Sequence, residues 1–171
     1  MVLSNMKEQL PVTLTMADTT EKRQEVFDMM LNSPGIKEFY TNKLTNIITS
    51  RYTFIIKLDD TTVGLINLVR EEDNNDFLFL DIGIKEEYRN KGIATEMMKF
   101  ISIIPIKEYV VVKSNNIYVN KALKKIGCNK VYEHNFHNIY LLQKDRYKQF
   151  IENNVTEKLA KHFNPTKYYP I

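Results

Sequence analysis

The chain has a single cysteine, Cys128, in 171 residues. A lone thiol makes no intrachain disulfide, which excludes the cross-linked scaffolds of small secreted proteins. It has no companions for a metal either. The three histidines, His134, His137 and His162, are scattered, and the first two would face opposite sides of a strand because side chains alternate. No structural metal is expected. No apolar run approaches the roughly 20 residues of a membrane span, so no membrane partner is expected. Residues 1–8 lack the apolar stretch of a signal peptide, and the expected compartment is the cytoplasm. Repeats, low-complexity tracts and Gly/Ser linkers are absent as well. So is charge of one sign: 24 Lys+Arg against 21 Asp+Glu leave +3, too even for a dedicated nucleic-acid binder.

What remains is ordinary globular composition, 43% hydrophobic and 26% charged, in a length that suits one domain with a proper core. The charge is unevenly placed. Residues 59–81 carry a net −6, and residues 85–130 a net +6. The surplus of the whole chain lies in residues 144–171, so residues 1–143 are formally neutral. An acidic middle beside a basic second half suits two ligands of opposite charge.

Residues 12–16 alternate apolar with polar and read as a first strand. Asp18 with Glu21 three positions on makes a capping box for a helix bearing Val26, Phe27, Met30 and Leu31. After Ser33, Pro34 and Gly35, the spacing of Ile36, Phe39, Tyr40, Leu44, Ile47 and Ile48 predicts a second helix. Strands at 52–58 and 63–69 form a hairpin around residues 59–62, and a third strand covers 77–84. A helix follows from about Gly92 until Pro105 stops it. The apolar run 109–112 reads as a buried strand, residues 116–126 as a helix with Gly127 at its end, and 131–133 with 138–142 as a last strand pair. The order is that of a mixed α/β fold with a mostly antiparallel sheet and a β-α-β unit in its second half.

Residues 88–96, Tyr-Arg-Asn-Lys-Gly-Ile-Ala-Thr-Glu, lie where a strand hands over to a helix. Gly92 lets a ligand approach the backbone, small Ala94 keeps the helix start open, and unpaired N–H groups with the helix dipole favour a phosphate there. Arg89 and Lys91 add positive charge. The segment has neither the Gly-Lys-Ser/Thr of a P-loop nor the third glycine of a dinucleotide fingerprint. A second pattern follows the apolar strand: Asn116, then Leu123-Lys124-Lys125-Ile126-Gly127-Cys128.

Together the two segments resemble the GNAT superfamily of acyl-CoA N-acyltransferases. The first is similar to its Arg/Gln-x-x-Gly-x-Gly/Ala pyrophosphate motif, and the second to its Asn-x-x-Ser/Ala strand-helix unit. Ala94-Thr95-Glu96 resembles the ribosomal-protein (Rim-type) branch. The resemblance spans about residues 12–142 and implies acetyl transfer from acetyl-CoA to a primary amine, a protein N-terminus or a small cationic amine, by direct attack in a ternary complex. It implies backbone pairing of Ile82 and Ile84 with the pantetheine arm. Backbone N–H groups of Asn90, Lys91, Gly92, Ile93, Ala94 and Thr95 would cradle the pyrophosphate, aided by Arg89. Asn116 would contact pantetheine, and Lys121 and Lys125 the nucleotide phosphates.

The chain departs from the family at the chemistry. Leu123 stands where many members place a general-acid Tyr, Val119 replaces the Ser/Ala, Tyr118 is one residue out of register, and Cys128 replaces a Phe. A carboxylate can take the ammonium proton of the acceptor, and Asp81, an acid on an otherwise apolar strand, is the candidate, with Glu71 and Glu72 as second choices. The alternatives are an acyl-CoA-binding regulatory module without catalysis and an interaction protein without CoA.

Beyond a domain at 1–143, residues 144–171 form an extension. Tyr147, Phe150, Ile151, Val155, Leu159 and Phe163 predict one amphipathic helix. Its apolar stripe must be covered by the domain or by a second subunit, in the latter case a homodimer. The tail 167–171 is aromatic and basic, and is expected to dock on the domain.

Overall fold

The computed structural model describes residues 2–4, 11–32, 50–70 and 75–163. The expected helix at 36–48, Glu71, Glu72, the tail 167–171 and the side chains of Phe27, Met30 and Leu31 lie outside the described residues. The chain divides into two compact units, Met1–Glu72 with Phe79–Met97, and Asp73–Leu78 with Met98–Ile171.

The first unit holds strands β1 (Val2–Ser4), β2 (Pro11–Met16), β3 (Tyr52–Leu58), β4 (Thr61–Arg70) and most of β5 (Phe77–Ile84), in that spatial order. It also holds helix α1 (Thr20–Asn32) and the start of α2 (Ile93–Ile103). β1 to β4 pair antiparallel, with Leu14 opposite Ile56 and Ile55 opposite Leu65. Strand alternation sends Ile55 and Leu65 to one face, where they pack with Ala17 and with Val26 and Met29 of α1. Full burial of each such side chain contributes about 1.5–3 kcal/mol.

The start of α1 corrects the capping expectation. Thr19, not Asp18, caps the helix: its Oγ1 accepts from the Lys22 N–H at 3.2 Å. The Asp18 carboxylate instead meets the Lys22 ammonium at 3.2 Å. On β4, Gly64 lies against the Gly83 carbonyl oxygen and the methyl ends of Ile84 and Ile56.

The second unit contains the first two residues of β5, most of α2, and strands β6 (Tyr109–Ser114), β7 (Asn129–His134) and β8 (His137–Leu141) in the order β6-β8-β7. Helices α3 (Ile117–Lys125), α4 (Tyr147–Glu152) and α5 (Val155–Phe163) complete it. β8 pairs antiparallel with both neighbours.

Asn116 caps α3, its Oδ1 accepting from the N–H groups of Tyr118 (2.8 Å) and Val119 (3.2 Å). At the other end Gly127 takes φ +86°, the N–H of Gly127 reaches the Lys124 carbonyl and that of Cys128 the Leu123 carbonyl, both at 3.0 Å. This is the paired closure that a left-handed glycine permits. Asn116→Ala should therefore cost about 1 kcal/mol of stability, read from a urea midpoint with unchanged slope. A neutral result would show that water replaces the cap.

Two expectations change in this unit. The expected helix of the extension is two, broken at Asn153 and Asn154, the latter at φ 58°. Phe150, Val155 and Leu159 are buried nonetheless. Phe150 meets the Tyr109 ring edge-on at 5.2 Å, and Asn153 Nδ2 donates to the Tyr109 hydroxyl at 2.9 Å. Lys158 of α5 pairs with Asp76 at 3.0 Å. The histidines are the second change. β7 and β8 run up to a two-residue turn, so His134 and His137 are directly opposite partners. Cross-strand partners share a face, and the opposite-face expectation fails because the chain reverses between them.

Candidate functional site

In the first unit the end of β5 is anchored by the Lys85 N–H, which donates to the Val63 carbonyl at 2.8 Å. Backbone groups alternate between the two edges of a strand, so Ile82 and Ile84 direct theirs away from β4. The Ile84 carbonyl accepts from Arg89 Nε at 2.8 Å. Arg89 thus ties the following turn back to the strand, and only the exposed end of its guanidinium is left to meet an anion.

The turn is built from short hydrogen bonds and left-handed residues. The N–H of Tyr88 reaches the Lys85 carbonyl at 2.9 Å and that of Arg89 the Glu86 carbonyl at 3.2 Å. Asn90 takes φ 62° and Gly92 φ 82°. The Gly92 carbonyl accepts from the Glu96 N–H at 3.1 Å, which makes Gly92 the cap of α2. The N–H groups of Ile93, Ala94 and Thr95 then have no acceptor within the helix. Left-handed residues alternating ahead of a helix start turn successive N–H groups to one concavity, a shape that receives a phosphate. Ile93 is buried and holds the helix in place, whereas Gly92 is exposed. Asp81 is half-buried on β5, four residues before the turn.

Sequence reasoning missed one feature of this unit. Thr20, Glu21, Gln24, Glu25 and Asp28 of α1 line an open surface groove of about 530 Å³. Glu25 Oε1 accepts from Thr62 Oγ1 at 2.9 Å and meets Lys57 Nζ at 3.4 Å. Gln24 Nε2 donates to Asp28 Oδ1 at 3.0 Å. The signal was present as carboxylates at 21, 25 and 28, the spacing of one helix face.

In the second unit, Asn116 has its Oδ1 committed to the α3 cap, so only its Nδ2 is left for a ligand. Lys121 and Lys125 are exposed on α3. Leu123 is fully buried and has no proton to give, and Tyr118 is 79% exposed. Cys128 is buried and its Sγ donates to the Leu142 carbonyl at 3.4 Å. Burial pushes the thiol up to about 11, with Lys144 pulling weakly the other way. Its ordinary value is 9.0, so the contribution to stability is whole below that pH and is lost as pH rises towards 11. Cys128 should react with a disulfide reagent at pH 8 only when the chain is unfolded, by thiol absorbance; rapid reaction of the native protein would place it outside the core.

A mixed α/β fold whose mostly antiparallel strands lead into a tight turn and a helix start is the architecture of an acyl-CoA-dependent N-acyltransferase. The chain belongs to the acetyltransferase (GNAT) family, whose profile matches residues 18–144. It is an acetyl-CoA-dependent N-acetyltransferase. No curated protein matches it in sequence. Solved structures share its fold. A GNAT-family acetyltransferase from Listeria monocytogenes superposes with a TM-score of 0.59 at 10% identity, over 82% of this chain and 98% of that one. The spermidine N-acetyltransferase of Vibrio cholerae, in complex with CoA and spermine, gives 0.51 at 12% identity over 75% and 92%. An N-acetyltransferase from Campylobacter jejuni gives 0.50 at 14% over 76% and 96%. No helix among the described residues is long and apolar enough to cross a membrane.

Proposed function

We propose that this N-acetyltransferase acts on a small cationic amine and that the open groove along α1 receives the positive charge of that acceptor. The observation that carries this reading is the lining itself: Glu21, Glu25 and Asp28 on one helix face around about 530 Å³. Lys57 meets Glu25, which leaves the carboxylates in excess over the cation they hold. The Vibrio neighbour, a spermidine N-acetyltransferase in complex with CoA and spermine, supports the same class of acceptor, a flexible chain with more than one ammonium group.

Acetyl-CoA supplies a thioester-activated acetyl group. The N–H groups of residues 90–95 and the exposed end of Arg89 hold its diphosphate, and Ile82 pairs with its pantetheine arm. Asp81, directly or through water, first takes the proton of the acceptor ammonium. The neutral amine then attacks the thioester carbonyl, the new C–N bond replaces the C–S bond, and CoA leaves as a thiolate that solvent protonates. Backbone N–H donors stabilise the oxyanion. Leu123 offers no proton, so the chemistry rests on positioning more than on an acid from α3.

The test is a release assay for CoA with spermidine, spermine and peptides bearing a free N-terminus. The polyamines should exceed the peptides by about tenfold or more in kcat/KM. Glu21→Gln should raise KM for spermidine with little change in kcat, the pattern of lost uniform binding. A preference for peptides, or an unmoved KM, would overturn the cationic-acceptor reading. Tight acetyl-CoA binding with no acceptor acetylated would leave a regulatory module.

A further inference from the structure

The β7–β8 hairpin closes on Asn135 and Phe136, both left-handed at φ 47° and 64°. Those angles make the tight turn whose twist matches its strands, and they set His134 directly opposite His137. On one face of an antiparallel pair, such partners have Cβ atoms about 4.5–5.5 Å apart. Two imidazoles at that separation can reach a common ion at metal–nitrogen distances of about 2.0–2.1 Å.

The hydrogen bonds fix which nitrogens carry protons. His137 Nδ1 lies 2.9 Å from the Asn135 carbonyl oxygen. A carbonyl only accepts, so Nδ1 holds a proton, and in the neutral ring Nε2 presents a lone pair. His134 Nε2 lies 3.1 Å from the Asn135 side-chain nitrogen. An amide NH2 only donates, so this Nε2 also presents a lone pair. The ring of His134 is held by stacking on Phe163, with centroids 5.1 Å apart at 28°. An imidazole whose second nitrogen donates to a backbone carbonyl, as in His137, is the orientation that metal-ligating histidines use. The Asn135 amide hydrogen already supplies positive charge to the His134 lone pair, as a stand-in for a cation.

We propose that His134 and His137 form a two-imidazole site for a late first-row transition-metal dication, nickel or copper, at the tip of the β7–β8 hairpin. Neutral imidazole pairs select these ions over magnesium or calcium, which take oxygen ligands. Among the described residues no group of three histidines, cysteines or carboxylates assembles, so water fills the remaining positions. The ion clamps the two strands at the turn, beside a fully exposed Phe136.

The experiment is calorimetric titration of the full chain with Ni²⁺, in parallel with thermal unfolding. One equivalent should bind, and the melting temperature should rise with Ni²⁺ because the folded hairpin alone brings the two rings together. His137→Gln and His134→Gln should each weaken binding about tenfold or more, with the melting response lost. His137→Gln leaves the Phe163 stack untouched, so its result stands even if His134→Gln perturbs folding. Asn135→Gly keeps the left-handed turn and removes the competing amide, and should bind at least as tightly as the parent. No saturable binding, or His137→Gln binding like the parent, overturns the site.

Discussion

Gly92→Val should weaken acetyl-CoA binding about a hundredfold or more, since a charge-assisted hydrogen bond contributes about 1.5–3 kcal/mol and two are lost. Gly92 sits at φ 82°, where a β-branched residue is strained by about 1–3 kcal/mol. The valine relieves that strain by rotating the backbone, and the rotation turns the first N–H groups of α2 away from their common concavity. The fold should survive, because Gly92 is exposed while Ile93 keeps the helix start buried. Calorimetry with acetyl-CoA and a melting curve on the same sample separate the two effects. Asn90→Gly is the control: glycine suits the φ of 62° there, so folding and affinity should both be retained. Unchanged affinity in Gly92→Val would remove the diphosphate from this turn.

Gly64→Ala should destabilise the protein by about 2 kcal/mol or more, the scale of overpacking in a closed core. The sign makes the result diagnostic. Replacing glycine by alanine in a compatible conformation stabilises by about 0.4–1 kcal/mol through the unfolded chain. Here the added methyl meets the Gly83 carbonyl oxygen, with Ile84 Cδ1 and Ile56 Cδ1 closing the other sides. A side-chain tip can swing aside, but a backbone oxygen moves only with its strand. Displacing Gly83 also displaces Ile82 and Ile84, so acetyl-CoA affinity should fall with stability. The measurement is the urea midpoint, and a stabilised Gly64→Ala would show that β4 and β5 part without cost.

The sequence carried the fold wherever a side-chain period or a glycine decided it. Alternation placed β2, apolar runs between polar turns placed β3 to β5, Gly92 and Gly127 marked a helix start and a helix end, and the Arg89–Ala94 segment located the turn. Misreadings came where two neighbouring residues competed for one role or where the chain broke or reversed. Asp18 and Thr19 are both good caps; Thr19 takes the role, while the Asp18 carboxylate meets the Lys22 ammonium. Phe150, Val155 and Leu159 keep an almost helical spacing across a break, so the left-handed Asn154 leaves little trace in the pattern. The alternation rule applied to His134 and His137 holds within one strand and inverts across a two-residue turn. The carboxylates of α1 were legible as a helix face, but the groove beside them was not.

The hydrogen bonds around residues 85–92 have a thermodynamic consequence. Arg89 Nε, the Tyr88 N–H and the Arg89 N–H all find acceptors within the strand end and the turn. Ordering that a loose loop would undergo on meeting its ligand is completed here during folding. With the diphosphate in this turn, as proposed, its binding energy is not offset by loss of chain entropy there. Amide exchange at Tyr88 and Arg89 should already be slow in the free enzyme and change little when acetyl-CoA is added.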